Sequence, residues 1–274
     1  MKIERIIIDP NLSDVYLDSY ISDKLKGYVR KAILVIPGGG YGSVESEREG
    51  EPIAMAFLPY GYNAFVLHYS VARTKPFPAQ LIEASLAIKH IRDHAEEYGI
   101  DPTQVFVTGF SAGGHLCACL GTMWHKQAIY DAIPMPYGYN RPTGIIPVYP
   151  VVSGLYDWWQ KTTFKNLLCT DEPTQEQLAT CSVEANVDER SVPAFIVHTS
   201  NDQVVNVRNA LVLANAYAEN GLLFEMHIYP DAPHGVALGN KITRCGNPKW
   251  ENPQIAKWVE QAAAWADGLP KIGD

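Results

Sequence analysis

Residues Val105 to Leu120 have the sequence Val-Phe-Val-Thr-Gly-Phe-Ser-Ala-Gly-Gly-His-Leu-Cys-Ala-Cys-Leu. The first three residues are apolar and two of them are β-branched, which predicts a buried strand. Gly109 to Gly113 fit the pattern G-x-S-x-G, and the small residues that follow can begin a helix. A strand, a tight turn and a helix in this order form a nucleophile elbow, with the serine hydroxyl exposed above a sheet. We therefore predict Ser111 as a nucleophile; the alternative is a Gly/Ser turn that only joins two core elements.

A second glycine-rich stretch follows a predicted apolar strand. Pro37 to Gly42 read Pro-Gly-Gly-Gly-Tyr-Gly, and consecutive glycines can turn their backbone N–H groups inward without a Cβ clash. We predict that the N–H groups of Gly39, Gly40 and Ala112 form an oxyanion hole. The alternatives are a flexible turn and a phosphate loop, although the Lys-Ser/Thr ending of a P-loop is missing.

Strands and helices alternate along much of the chain. This rhythm predicts an α/β fold with a mostly parallel sheet and right-handed crossovers. The predicted strands are Val15 to Ile21, Lys31 to Ile36, Asn63 to His68, Val105 to Val107, Thr143 to Val152, Pro193 to His198 and Leu223 to Tyr229. The predicted helices are Ser46 to Leu58 (begun by a capping box), Phe77 to Tyr98, Asn206 to Asn220 and Gln254 to Trp265.

The composition is that of a globular protein with a large core. Of the 274 residues, 47% are hydrophobic, which excludes a disordered chain. The formal net charge of −8 argues against nucleic acid or an anionic membrane surface as a partner. No apolar run is long enough to span a bilayer, and the charges within Met1 to Arg5 do not fit a signal peptide. We therefore expect a cytoplasmic protein.

The five cysteines give no sign of a metal site or a disulfide framework. Their number is odd, and Cys117 and Cys119, two residues apart, would point to different faces of one helix. No pair has the spacing of metal ligands, so buried free thiols are expected.

The regular alternation of predicted strands and helices weakens between residues 124 and 190. Aromatic residues collect there, and we interpret the segment as a cap-like excursion from one domain spanning residues 1–274. Clustered tyrosine and tryptophan can form a platform for sugar rings, but they can equally pack the cap onto the core or form a subunit contact. The residues concerned are Tyr137, Tyr139, Tyr156, Trp158 and Trp159.

An acid and a base are predicted where two later strands end. Asp202 follows the strand that ends at His198, where ligands gather in open α/β sheets, and its carboxylate can orient a histidine. Most Asp residues in such loops are turn or cap residues, and Asp157 and Asp231 are rival acids. Of the eight histidines, His234 alone combines a loop position, the same sheet edge and the chain order Ser, Asp, His. His115 is too close to Ser111 on its own helix.

On these motifs the chain resembles α/β-hydrolases of the acetyl esterase/lipase group, near the xylan-esterase-like "sugar hydrolase" branch. The motifs are Pro37-Gly38-Gly39-Gly40-Tyr41, Arg48-Glu49-Gly50-Glu51-Pro52-Ile53-Ala54, Gly109-Phe110-Ser111-Ala112-Gly113-Gly114-His115, His198-Thr199-Ser200-Asn201-Asp202 and His234-Gly235. Hormone-sensitive-lipase-like relatives have a His before the glycines, where this chain has Pro37. The resemblance implies an α/β-hydrolase fold with a small cap, the triad Ser111, Asp202 and His234, and oxyanion donors at Gly39, Gly40 and Ala112.

The resemblance also implies a serine carboxylesterase acting on acetylated sugars or xylo-oligosaccharides without metal or cofactor. The candidate substrate contacts are Tyr41, Tyr156, Trp158 and Trp159. Assembly into a homo-oligomer is compatible with the sequence. The alternatives are an arylformamidase-like amidase or a peptidase on the same triad, a lipase, and a non-catalytic sugar-binding module. A lipase would need a broad apolar lid, whereas the aromatic segment here is interrupted by charge and proline.

Overall fold

A sheet of eight strands runs through the part of the chain that the structure, a computed structural model, describes: residues 1–9, 11 and 14–273. The strands are β1 (Lys2–Ile7), β2 (Tyr16–Ile21), β3 (Arg30–Ile36), β4 (Tyr62–His68), β5 (Ile100–Phe110), β6 (Gly144–Val148), β7 (Ala194–Thr199) and β8 (Phe224–Tyr229). Their order is β1-β2-β4-β3-β5-β6-β7-β8. The pairs β1–β2 and β2–β4 are antiparallel and the others are parallel, which confirms the predicted mostly parallel sheet.

Helices cover both faces of this sheet. They are α1 (Ser46–Glu49), α2 (Glu51–Phe57), α3 (Ala79–Asp93), α4 (Ala95–Tyr98), α5 (Ala112–Met123), α6 (Gln127–Ala132), α7 (Lys161–Leu167), α8 (Gln175–Cys181), α9 (Arg208–Glu219) and α10 (Trp258–Asp267). Short 3₁₀ helices occupy Leu58–Tyr60, Glu184–Asn186, Pro248–Trp250 and Ile255–Lys257. Among the helices so described, none has both the length and the apolar character needed to cross a membrane.

The core has two layers because successive strand residues point to opposite faces. Leu34 and Val107 pack with α3, α5 and α9, whereas their neighbours Ile33 and Phe106 pack with α2 and α10. Both faces of the central strands are therefore buried, and this explains why those strands appear in the sequence as continuous apolar runs.

Two predicted helices are divided in the structure. The capping box at Ser46 does not form; Glu45 occupies the N-cap without a side-chain hydrogen bond, and the Ser46 hydroxyl lies 3.3 Å from His68 Nε2. The helix breaks at Gly50, and a second helix begins with Pro52 in its first turn. The helix predicted from Phe77 begins at Ala79 and is divided at His94, but it ends at Gly99 as expected.

The strands differ from the prediction in two places. Strand β1 was not predicted because its apolar residues lie on an exposed edge; Ile3 is 56% and Ile7 49% exposed. The apolar run through Val152 is buried, but its ladder with β5 ends at Val148. Cys117, Cys119 and Cys181 are buried free thiols as expected, whereas Cys245 is exposed because it lies on a surface turn.

The predicted excursion between residues 124 and 190 contains the core strand β6 and the helices α6, α7 and α8. The carboxyl ends of β3, β5, β7 and β8 meet at one edge of the sheet. The glycine-rich stretch, Ser111, Asp202 and His234 each follow one of these four strands. Parallel strands thus bring together residues that are distant in sequence.

Candidate active site

Ser111 occupies a strained turn between β5 and α5. Its backbone has φ 54° and ψ −116°, a conformation that costs a non-glycine residue roughly 1–3 kcal/mol. Glycine is required on both sides of it: a Cβ on Gly109 would lie 2.2 Å from Gly113 O, and one on Gly113 would lie 2.1 Å from Ile36 O. The predicted elbow therefore has close packing of strand, turn and helix, with the hydroxyl at the carboxyl edge of the sheet.

His234 lies within hydrogen-bond distance of both Ser111 and Asp202. His234 Nε2 is 2.9 Å from Ser111 Oγ, and His234 Nδ1 is 2.6 Å from Asp202 Oδ2. The other Asp202 oxygen accepts hydrogen bonds from the N–H groups of Val204 and Val205, at 2.8 and 2.9 Å. A carboxylate fixed in this way selects the imidazole tautomer with a proton on Nδ1, which leaves Nε2 free to accept the serine proton.

The environment keeps Asp202 ionised. Burial raises the pKa of this carboxyl, but the hydrogen bond from His234 and those from Val205 and Val204 outweigh it and lower the pKa overall. Beside it, His198 donates from Nε2 to the Val205 carbonyl, and burial lowers the pKa of His198 to about 4. His198 is therefore neutral at pH 7 and does not compete as a cation for Asp202.

The two rival acids lie elsewhere in the structure. Asp157 sits on an exposed turn, and Asp231 accepts a hydrogen bond from the side-chain amide of Asn201. Asp202 is thus the carboxylate that contacts the imidazole of His234.

The glycine-rich stretch forms a tight loop over the same edge. Gly39 and Gly40 have φ 122° and 61°, and the Gly39 carbonyl accepts from the N–H groups of Gly42 and Ser43 at 2.9 and 3.1 Å. Both glycines line the cavity that contains Ser111 and His234. Ala112 is the first residue of α5, where helix N–H groups have no partner within the helix. These positions suit donors to an oxyanion.

Tyr41, which we expected to contact substrate, is turned into the core. Its side chain is 1% exposed, and its hydroxyl donates to Nδ1 of His115 at 2.8 Å. The opposite nitrogen of His115 lies 2.7 Å from the Cys181 carbonyl. Tyr41 therefore links the glycine-rich loop to α5 and α8. Because its side chain is buried, the predicted role as a substrate contact is replaced by a role in the core.

A buried carboxylate that sequence reasoning missed joins three of the loops. Glu49 is 3% exposed, and its two oxygens accept from the Gly38 N–H and the Tyr149 hydroxyl, both at 2.8 Å. The Tyr149 oxygen in turn accepts from the Ala237 N–H at 3.1 Å, and its ring lies 5.0 Å from the His234 ring. Burial raises the pKa of the Glu49 carboxyl, and the hydrogen bonds from Tyr149 and Gly38 limit that rise.

Arg48, the residue before Glu49, makes a second connection to the histidine loop. Its guanidinium donates to the Gly235 carbonyl at 3.0 Å and lies 4.0 Å from the centre of the Trp250 ring. Arg48 and Glu49 belong to a motif that carries the family resemblance, but the sequence alone assigns no role to either side chain, and the fold reveals these contacts.

A small cavity surrounds the serine hydroxyl. Its volume is about 230 Å³. The lining includes Gly39, Gly40, Glu49, Arg48, Ser111, Gln160, Thr163, Val204, Val205, His234 and Gly235. Within the described part of the chain this lining includes none of the predicted aromatic contacts. Tyr156 stacks on Trp158 with ring centres 4.8 Å apart, and Trp159 packs against Phe164.

Comparison with known proteins places the chain among relatives that carry this fold. The family model for BD-FAE matches residues 17–217. Over 216 residues the chain is 38% identical to endo-1,4-beta-xylanase B of Butyrivibrio fibrisolvens, covering 77% of this chain and 33% of that protein. Over 213 residues it is 29% identical to an acetylxylan esterase of Xylanibacter ruminicola, covering 76% and 42%. The chain thus spans less than half the length of either of these curated relatives.

Solved structures match over nearly the whole chain. An acetyl ester-xyloside bifunctional hydrolase from Caldicellulosiruptor lactoaceticus has a TM-score of 0.82 and 30% identity, covering 96% of this chain and 95% of that one. An α/β hydrolase from a Medee basin deep-sea metagenome library has a TM-score of 0.78 and 31% identity, covering 97% of both chains. The predicted α/β-hydrolase fold and the resemblance to the acetyl esterase branch are confirmed. The chain belongs to the BD-FAE family.

Proposed function

We propose that this protein is a serine esterase that removes acetyl groups from acetylated sugars or xylo-oligosaccharides. The observation that carries the proposal is the position of His234, with one nitrogen 2.9 Å from Ser111 Oγ and the other 2.6 Å from Asp202. The names of two similar proteins, an acetylxylan esterase and an acetyl ester-xyloside bifunctional hydrolase, support the substrate class.

In the first half of the reaction, Ser111 Oγ attacks the ester carbonyl while its proton moves to His234 Nε2. The carbonyl oxygen becomes an oxyanion that accepts hydrogen bonds from the N–H groups of Gly39, Gly40 and Ala112. When the tetrahedral intermediate collapses, the bond to the sugar oxygen breaks and His234 returns the proton to that oxygen. The sugar leaves as an alcohol, and the acetyl group stays on Ser111.

In the second half, water takes the place of the sugar. His234 accepts a proton from the water, whose oxygen attacks the acetyl-enzyme carbonyl. The serine oxygen then leaves and regains its proton from His234, and acetate is released. Asp202 remains ionised throughout and stabilises the imidazolium that forms in each half.

The size of the cavity around Ser111 favours a short acyl group. Its volume of about 230 Å³ is below the ~300–1,000 Å³ of sites that enclose drug-sized ligands. We expect kcat/KM for p-nitrophenyl acetate to exceed that for the octanoate ester at least ~100-fold, because a small cavity lined by Arg48, Glu49 and Gln160 gives the additional methylenes little apolar contact. Kinetics across acyl chain lengths, with acetylated xylo-oligosaccharides in parallel, measure this. A flat or reversed profile would contradict the acetyl-ester assignment.

Formyl amides and short peptides, added to the same screen, separate the alternatives. Hydrolysis of formyl amides or short peptides in preference to acetyl esters would indicate an amidase or a peptidase. A protein that binds xylo-oligosaccharides without any turnover would be a sugar-binding module.

Glu49 is proposed as a positioning residue, since it acts through the glycine-rich loop and Tyr149. In E49Q the amide can accept only one of the two donors, so the Gly38 N–H or the Tyr149 hydroxyl loses its acceptor. Leaving one such group unpaired costs about 1–3 kcal/mol, and where this cost falls on the transition state it corresponds to a ~5- to 150-fold loss in kcat/KM. Steady-state kinetics on p-nitrophenyl acetate measure the loss.

A comparison of kcat with KM distinguishes this role from a merely structural one. Glu49 holds the loop that carries the proposed oxyanion donors, and such donors act chiefly on the transition state, so E49Q should lower kcat while KM changes little. E47Q, on the exposed face of α1, is the matched control. Equal losses in E47Q and E49Q, or a rise in KM with kcat unchanged in E49Q, would refute the assignment.

A further inference from the structure

A second, larger cavity lies next to His234. It has a volume of about 730 Å³, roughly three times the 230 Å³ of the cavity around Ser111. Both cavities are lined by His234 and Val204, so they are neighbours on either side of these two residues. The larger one is also lined by Asn201, Gln203, Asp231, Ala232, Pro233, Lys249, Trp250, Glu251 and Asn252. Its volume lies within the range of cavities that bind small organic ligands.

The segment that carries Trp250 is fixed by several hydrogen bonds. The N–H of Trp250 donates to the Asn247 carbonyl at 3.1 Å, and that of Asn252 donates to the Gly239 carbonyl at 2.8 Å. The Asn252 amide also donates to the Asp231 carbonyl on the histidine loop. Together with the Arg48 guanidinium 4.0 Å from its ring, these contacts hold Trp250 in a defined position. A preformed aromatic surface binds without a large ordering cost.

Apart from Val204, Ala232 and Pro233, the remaining lining is polar and carries both signs of charge. Lys249 offers an ammonium, and Asp231 and Glu251 offer carboxylates, the latter 2.8 Å from Arg244. Gln203 and Asn201 add side-chain amides. One indole among mixed donors and acceptors suits a ligand with an apolar ring face and a hydroxyl-bearing edge, as in a pyranose.

The chemistry of the proposed reaction requires the alcohol on this side. His234 Nε2 must return a proton to the leaving sugar oxygen, so the sugar has to lie beside the imidazole. The larger cavity shares His234 with the cavity around Ser111, and Ser111 itself is not part of its lining. We infer that this cavity binds the sugar chain that bears the acetyl group, with Trp250 stacked against a pyranose ring. This inference rests on the proposed function and identifies the alcohol-side subsite of the same site.

The first experiment measures selectivity. The ratio of kcat/KM for acetylated xylo-oligosaccharides to kcat/KM for p-nitrophenyl acetate is compared across variants. We expect this ratio to fall about tenfold or more in W250A, because a stacked ring is lost, and to recover largely in W250F. W158A tests the predicted aromatic alternative, and Y60A, an exposed ring at the amino edge of β4, is the control. An unchanged ratio in W250A, or a fall confined to W158A, would overturn the inference.

The second experiment separates binding from turnover. Xylotetraose without acetyl groups is titrated into S111A by calorimetry, and the same titration is repeated in S111A/W250A and S111A/W250F. Binding that weakens about tenfold in the alanine double variant and is retained in the phenylalanine one supports the site. Absence of xylotetraose binding, or equal binding in all three, refutes it. If wild type hydrolyses no acetyl ester, the proposed function fails, and this titration still decides the sugar site.

Discussion

The S111A variant is expected to lose esterase turnover by at least about 10⁴-fold, because it removes the atom that attacks the substrate. Alanine can take the place of serine without disturbing the turn. The backbone at 111 already has a φ of 54°, and the residue's N–H and carbonyl bonds to Val148, His115 and Val151 do not involve the side chain. We therefore expect the thermal midpoint of S111A to stay close to that of wild type. Kinetics on p-nitrophenyl acetate and a melting curve test both parts.

Covalent labelling tests whether Ser111 is the nucleophile without the use of a substrate. A fluorophosphonate should react at Ser111, forming an Oγ–P bond as fluoride leaves and the serine proton passes to His234. Mass spectrometry of intact protein should then show one adduct on wild type and none on S111A. S22A, a serine change at the opposite edge of the sheet, should be labelled like wild type. Labelled S111A, or S111A with substantial turnover, would mean that another group is the nucleophile.

The sequence predicted the elbow and its partners because each depends on local rules. Gly109 and Gly113 lie where neighbouring backbone segments are so close that a Cβ atom would overlap them. The G-x-S-x-G pattern therefore predicts the path of the backbone at the elbow. Asp202 and His234 each follow an apolar strand, and parallel strands bring their carboxyl ends to one edge. These are constraints on backbone path, and a backbone path can be inferred from periodicity and turn residues.

The contacts that hold the loops together could not be predicted in the same way. The bond from Tyr149 to Glu49 joins residues 100 positions apart, one in a predicted strand and the other in a predicted helix, and no local pattern indicates that the two side chains meet. Tyr41 was misassigned for a related reason. A tyrosine beside an oxyanion loop can face solvent or core, and the choice depends on His115 being buried beneath it. Trp250 lies in a segment without any periodic signal.

Backbone strain is concentrated around this site. Ser111, Tyr149 and Ala237 all have positive φ, at 54°, 36° and 51°. Tyr149 and Ala237 are joined through the tyrosine oxygen, and Tyr149 is joined to Glu49. Strained conformations of this kind persist only where surrounding contacts hold them, at roughly 1–3 kcal/mol each. The Glu49 network therefore stabilises loops that would otherwise relax away from the geometry around His234.

Replacing Asp202 by asparagine is expected to lower kcat by roughly 10³- to 10⁴-fold while the protein remains folded. The asparagine oxygen can still accept from the N–H groups of Val204 and Val205, which places its NH₂ group against His234 Nδ1. An NH₂ donor there requires an unprotonated Nδ1, so the proton moves to Nε2. The imidazole then points an N–H at Ser111 and has no lone pair to receive the serine proton.

The two rival acids supply matched controls for this change. D157N alters an exposed turn, and D231N alters a carboxylate bonded to Asn201, so both should retain kcat on p-nitrophenyl acetate within about threefold of wild type. D202N alone changes the imidazole tautomer, and raising the pH should not restore its activity, because the missing group is a fixed anion. Equal losses in D157N and D202N would show that the carboxylate 2.6 Å from Nδ1 is not the one that orients the base.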